Sequence, residues 1–188
     1  MTRYFEPDNI PEGEEPLFAA LKRINRSIED QARANFNSFI AVDYFLYNGM
    51  EKGVGKEKAQ QLHRQLWEKY PPIWVKTAKN SLNIGAADNP QDVAKIIEFC
   101  QKTRFCNFNI SKADDSTIEG EITICPFVEV TQQTFNIPKE DPYFESLEKA
   151  TEAFIQGIID QTPLKGKMTV KLESAMCRGG STCKVICK

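Results

Sequence analysis

Cys106-Asn107-Phe108-Asn109-Ile110 and Ile118-Glu119-Gly120-Glu121-Ile122-Thr123-Ile124 alternate apolar and polar residues. A period of two marks strands with one face buried and one face wet. Asp114-Asp115-Ser116 lies between the two runs and supplies turn chemistry, since a short acidic side chain can accept from backbone N–H groups two residues on. The pair predicts an antiparallel hairpin with one face buried.

Upstream of the hairpin the period is 3.6. From about Glu14, Leu17, Ala20, Leu21, Ile24 and Ile28 form an amphipathic stripe that continues through Ala32, Phe36, Phe39, Ile40 and Tyr44. Asn48-Gly49 and Gly53-Val54-Gly55 are expected to end it, and the pattern leaves open whether it is one helix or two. A second helix is predicted over Lys56 to Tyr70, with Ala59, Leu62, Leu66 and Trp67 on its buried face and Pro71-Pro72 as its stop. A shorter one covers Ile73 to Leu82. Pro90 to about Lys102 forms the next, capped by Asp88 or Asn89.

Downstream, Pro126 suits the first turn of a short helix reaching about Thr134. A longer one runs from about Tyr143 to Asp160, with Phe144, Leu147, Ala150, Phe154 and Ile158 in register. Met168 to Ser174 and Cys183 to Cys187 return to strands, joined at Arg178-Gly179-Gly180-Ser181. Helices, hairpin, helices, hairpin is the order of an α+β fold: a helical N-terminal half packed on an antiparallel sheet of about four strands. Residues 1–13, with Pro7, Pro11 and Gly13, read as an irregular leader, and residues 14–188 as a single domain.

Composition narrows the function classes. The 24 basic and 26 acidic residues leave a formal charge of −2, which gives no electrostatic footprint for nucleic acid or an anionic membrane. The N-terminus lacks the apolar core of a signal peptide, and no apolar run approaches the ~18 residues of a membrane span. The expected setting is therefore the cytoplasm. There the 6 cysteines are expected to be thiols rather than disulfides. The expected partner is a small molecule. A homo-oligomer or a scaffold partner held by the long first helix is compatible with the pattern.

The cysteines carry the sharpest signal. Cys177 and Cys183 stand at the two mouths of a glycine-bearing hairpin turn, where antiparallel pairing brings side chains across from each other. Cys125 sits at a strand end immediately before a helix, whose free N–H groups favour a thiolate. Thiolate is the form that binds metal and the form that attacks carbon. The three are expected to converge. If they hold a metal it is expected to be zinc, with Glu173 as an oxygen ligand. Glu129, four residues after Cys125, is the candidate for proton transfer. Arg178 is the candidate clamp for a substrate carboxylate. Cys100 and Cys106 are expected to be plain core, and His63, the single histidine, a surface or half-buried residue.

Ile124-Cys125-Pro126-Phe127 after a strand, followed by Cys177, Gly179-Gly180 and Cys183 in a terminal hairpin, resembles the L-2-amino-thiazoline-4-carboxylic acid hydrolase family. Gly49-Met50-Glu51-Lys52-Gly53 and the helix from Ala59 to Trp67 add to the likeness, which spans most of residues 20–187. The terminal cysteine hairpin is also similar to 4-vinyl-reductase-type small-ligand domains, some of which carry zinc on cysteines and a glutamate. This chain departs from them in its turn, Arg178-Gly179-Gly180-Ser181-Thr182, and in having Lys184 and Val185 where an aromatic commonly follows the last cysteine. The first resemblance implies hydrolysis of a carbon–nitrogen bond in a small cyclic amidine such as an aminothiazoline carboxylate, with Cys125 as nucleophile or metal ligand. The second implies a small-molecule-binding or sensor domain with a structural cysteine-ligated zinc.

Overall fold

The computed structural model describes residues 16–188, with side chains from Ser27 onward. The leader 1–13 lies outside the described residues, as do the side chains of Leu17, Ala20, Leu21 and Ile24. The chain divides into two compact units, Met1–Phe39 and Ile40–Lys188. In the first, the described residues are the opening turns of a helix, α1 (Pro16–Val54, 39 residues), where the rings of Phe36 and Phe39 stack with centroids 5.9 Å apart.

The second unit begins within α1 and holds the rest of the fold. α1 runs through Asn48-Gly49, where the sequence predicts an end, and stops at Gly55, whose φ of 80° no ordinary helical residue adopts. A glycine inside a helix costs about 1 kcal/mol against alanine. The burial of Ile40, Tyr44 and Tyr47 on the same helix outweighs it. There follow α2 (Lys56–Lys69), α3 (Pro71–Leu82) and α4 (Pro90–Lys102), the last capped by Asn89, which accepts from Asp92 N–H. Then come β1 (Asn107–Ala113), β2 (Ile118–Ile124), α5 (Pro126–Thr134), α6 (Pro142–Ile159), β3 (Val170–Ser174) and β4 (Cys183–Cys187). The fold is α+β, as the periodicities predict. No helix among the described residues is long and apolar enough to cross a membrane.

The sheet order is β1-β2-β4-β3 with every neighbour antiparallel. Asp114 makes the predicted turn between β1 and β2 by accepting from the N–H groups of Ser116 and Thr117. The inner face carries Phe108, Ile118, Ile122, Leu172, Cys183, Val185 and Cys187, all buried. α4 covers the β1–β2 side and α6 covers β3. The outer face carries Glu121, Lys171, Glu173 and Lys184, so the pleat divides core from solvent as the alternating pattern requires.

α2 and α6 pack closely, and Gly157 marks where α6 meets the α2–α3 junction. A Cβ there would lie 2.7 Å from Pro71 Cγ and 2.9 Å from the Glu68 carbonyl oxygen. Gly157→Ala is therefore expected to lose about 1–3 kcal/mol of stability, the usual cost of overpacking. Urea denaturation checks it, and a midpoint equal to wild type would mean the two helices sit further apart than described.

Candidate functional site

The interior of the second unit contains a polar cluster that periodicity does not reveal. Asp43, on α1, is 3% exposed and accepts hydrogen bonds from three side chains. His63 Nε2 lies 3.1 Å from Oδ1, Trp67 Nε1 donates to the same oxygen at 3.1 Å, and the Tyr143 hydroxyl donates to Oδ2 at 2.8 Å. On its other side His63 Nδ1 lies 2.7 Å from Ser146 Oγ. The tautomer with the proton on Nε2, accepting from Ser146 at Nδ1, satisfies both contacts. His63 is 0% exposed, which corrects its expected surface or half-buried placement. The buried stripe of α2 runs through Ala59, Gln60, His63 and Trp67, while Leu66 faces outward. An imidazole can be buried because both of its nitrogens are hydrogen-bonded.

Asp43, His63 and Ser146 have the residue types of a nucleophilic triad. His63 and Ser146 are both fully buried, so no substrate reaches the hydroxyl as the protein stands. The cluster ties α1, α2 and α6 together. Burial, and then the Asp43 carboxylate, push the Tyr143 hydroxyl well above its ordinary pKa, keeping it a donor.

Trp67 joins this cluster to a second one. Its ring lies 4.7 Å from the guanidinium carbon of Arg104, which also sits 4.3 Å from the Phe154 ring centroid and 5.0 Å from that of Phe127. Arg104 is 4% exposed, and its Nε and Nη1 have no hydrogen-bond partner among the described residues. It leaves α4 in a turn where Phe105 takes a left-handed φ of 56°, and Cys106 N–H then bonds back to the Gln101 carbonyl. This turn delivers Cys106 to the start of β1. Three aromatic faces stabilise the guanidinium charge, but they leave in-plane donors open.

Cys125 is the N-cap residue of α5 and is half-buried. Its thiol is lowered from 9.0 to about 7, chiefly by the neighbouring Cys106 thiol, with help from the N–H groups of Val128 and Phe127 and from Arg104, against the opposing effect of burial. The other thiols move up. Burial raises Cys100 and Cys187 to about 12 and Cys183 to about 11, and raises Cys177 further still. The Cys106 thiol stands well above its ordinary value because Cys125 takes its proton as an acceptor and because it is buried.

Cys125, Cys177 and Cys183 are electrostatic neighbours, each of the other two raising the Cys177 thiol. Cys183 Sγ accepts from Met176 N–H at 3.2 Å. The proposed fourth ligand is elsewhere. Glu173 lies on the outer face of the sheet, 45% exposed, 2.8 Å from Lys184 Nζ. The physical reason is pleat parity. Leu172 pairs with Val185 on the inner face with Cys183, so Glu173 is out of phase, and β3 ends before Cys177. Among the described residues no three His, Cys, Asp or Glu side chains are arranged to hold a metal ion.

Glu129, on α5, is exposed. Arg178 is exposed at the end of a 3-10 turn, Met176–Arg178, which closes on Gly179 at φ 90°. It lines a cleft of about 580 Å³ with Lys56, Lys139, Glu140 and Glu145, and its Nε lies 3.8 Å from Glu148. Burial raises the Glu148 carboxyl, and Arg178 pulls it back down. Glu148, Asp43 and Arg104 are residues that the sequence pattern did not single out, while Cys106 was expected to be plain core and His63 a surface or half-buried residue. For Cys106 the register held a signal: Asn107 pairs with Ile124, so Cys106 and Cys125 are the next pair along.

No family model matches the chain, and no curated protein matches it. Several solved structures share its fold, among them these two. One is the phenol-responsive sensory domain of the transcription activator PoxR with phenol, at TM-score 0.54 and 13% identity over 79% of this chain and 73% of that one. The other is a trafficking protein particle complex subunit 3 from Naegleria fowleri covalently bound to palmitic acid, at TM-score 0.59 and 13% identity over 83% of this chain and 95% of that one.

Thiol chemistry gives a direct check. With Cys125 near 7 and half-buried while the other five thiols are buried and raised, iodoacetamide at neutral pH should modify Cys125 first. Its rate should climb through pH 7 and flatten above it. Mass mapping that finds Cys183 or Cys177 modified before Cys125 would contradict the arrangement.

Proposed function

We propose that this domain binds a small organic molecule, as a sensory or ligand-carrying module does, and that the ligand presents an acceptor atom or acidic group to Arg104. One observation carries the reading: a buried guanidinium in a cage of Trp67, Phe127 and Phe154 with two donors unmatched by the described residues. Buried donors are almost always paired, and an unpaired one costs about 1–3 kcal/mol, more when charged. A ligand acceptor would remove that cost, and the aromatic walls would take its apolar part. The fold shared with a phenol-bound sensory domain and a palmitate-bound subunit supports small-ligand binding over hydrolysis.

Calorimetry and thermal shift with benzoate and phenol as probes test it. Saturable binding of at least one probe is expected. Arg104→Gln should weaken it about tenfold or more, from the ~1.5–3 kcal/mol of a charge-assisted hydrogen bond. Binding unchanged by Arg104→Gln would remove Arg104 from the site.

A hydrolase is the second reading, favoured by the Cys125 thiol near 7 at a helix N-terminus and by the family resemblance. In that reading the Cys125 thiolate adds to the amidine carbon as the C=N π pair moves to nitrogen and is protonated, the C–N bond then breaks, water displaces the sulfur, and Arg178 meets the substrate carboxylate. Turnover of aminothiazoline carboxylate that is lost in Cys125→Ser with an unchanged fold would establish it. No turnover in wild type would leave the binding module.

A further inference from the structure

Cys106 and Cys125 stand at the mouth of the first hairpin, one residue beyond the terminal ladder pair Asn107 and Ile124. Each thiol shifts the other's proton affinity, Cys106 upward and Cys125 downward, as neighbouring groups do. Cβ atoms of antiparallel neighbours lie ~4.5–5.5 Å apart, and a disulfide needs ~3.5–4.5 Å, so a small closure of the two chain ends suffices. The ladder already shifts register between Asn107 and Phe108, and Ile124 at the same end is exposed. The two thiols are also unequal: Cys125 is half-buried, and Cys106 is 4% exposed behind it. That is the asymmetry of an attacking and a resolving cysteine.

We propose that Cys106 and Cys125 are a redox-active dithiol that closes into an intramolecular disulfide when a peroxide reaches Cys125. In the first step the Cys125 thiolate attacks one peroxide oxygen, the O–O bond breaks, and Cys125 becomes a sulfenic acid as hydroxide leaves. In the second, the Cys106 sulfur attacks the Cys125 sulfur and loses its proton. The S–S bond forms, the S–O bond breaks, and water leaves. Two thiols lose two electrons in total, and hydrogen peroxide is reduced to two waters. Cys125 is the half-buried thiol and the other five are buried, so a peroxide arriving from solvent meets Cys125 first. The inference stands apart from the ligand-binding reading, because it needs neither Arg104 nor the cleft.

The test is peptide mapping of the reduced full chain after hydrogen peroxide treatment under non-reducing conditions. The expected result is an intact mass lower by two hydrogens, a linked Cys106–Cys125 peptide, and full reversal by dithiothreitol. In Cys106→Ser the sulfenic acid has no resolving thiol, so dimedone should trap it at Cys125, with several-fold less adduct in wild type and none in Cys125→Ser. The proposal is overturned if Cys125 goes on to sulfinic or sulfonic acid while Cys106 stays alkylatable. A first disulfide between other cysteines, or a Cys106→Ser protein with no more adduct than wild type, overturns it equally.

Discussion

A single buried carboxylate organises this molecule. Taking an ionised carboxylate out of water costs several kcal/mol unless donors replace the solvent, and Asp43 has three: His63 and Trp67 from α2, and Tyr143 from α6. None of the four side chains can leave without stranding a partner. Because Tyr143 and Ser146 stand in the first turns of α6, the bonds to Asp43 and His63 fix where that helix begins. The start of α6 in turn sets one wall of the cleft that Arg178 lines.

Trp67 transmits this constraint to the thiols. Its indole N–H is held by Asp43, so the ring is fixed and presents its face to Arg104. Arg104 in turn helps lower the Cys125 thiol and opposes the burial that raises Cys100. A carboxylate, an indole, a guanidinium and a thiol thus follow one another through the interior, and two donors of Arg104 have no partner among the described residues.

The architecture was legible in the sequence because it rests on periodicity. Alternation gave both hairpins, Asn89 with Pro90 gave the cap of α4, and Pro126 gave the start of α5. What periodicity hides is a polar residue on an apolar stripe. His63 and Asp43 occupy core positions of their helices, and nothing local to α2 tells that the partner sits on α1. Arg104 reads as a loop residue until the left-handed Phe105 turns it inward. Glu173 shares its face of the sheet with Lys184, which only the register of β3 against β4 reveals. The long α1 runs through Asn48-Gly49, where packing outweighs propensity, and ends at the expected Gly53-Val54-Gly55 segment.

The central claim, that Arg104 is the recognition group, is tested most directly by following its Nε–H resonance in nitrogen-15-labelled protein while benzoate or phenol is added to saturation. Recognition predicts that the resonance moves with the binding isotherm and that its hydrogen exchange slows as an acceptor arrives. A probe that binds saturably while the Arg104 Nε–H resonance stays where it was would contradict the account.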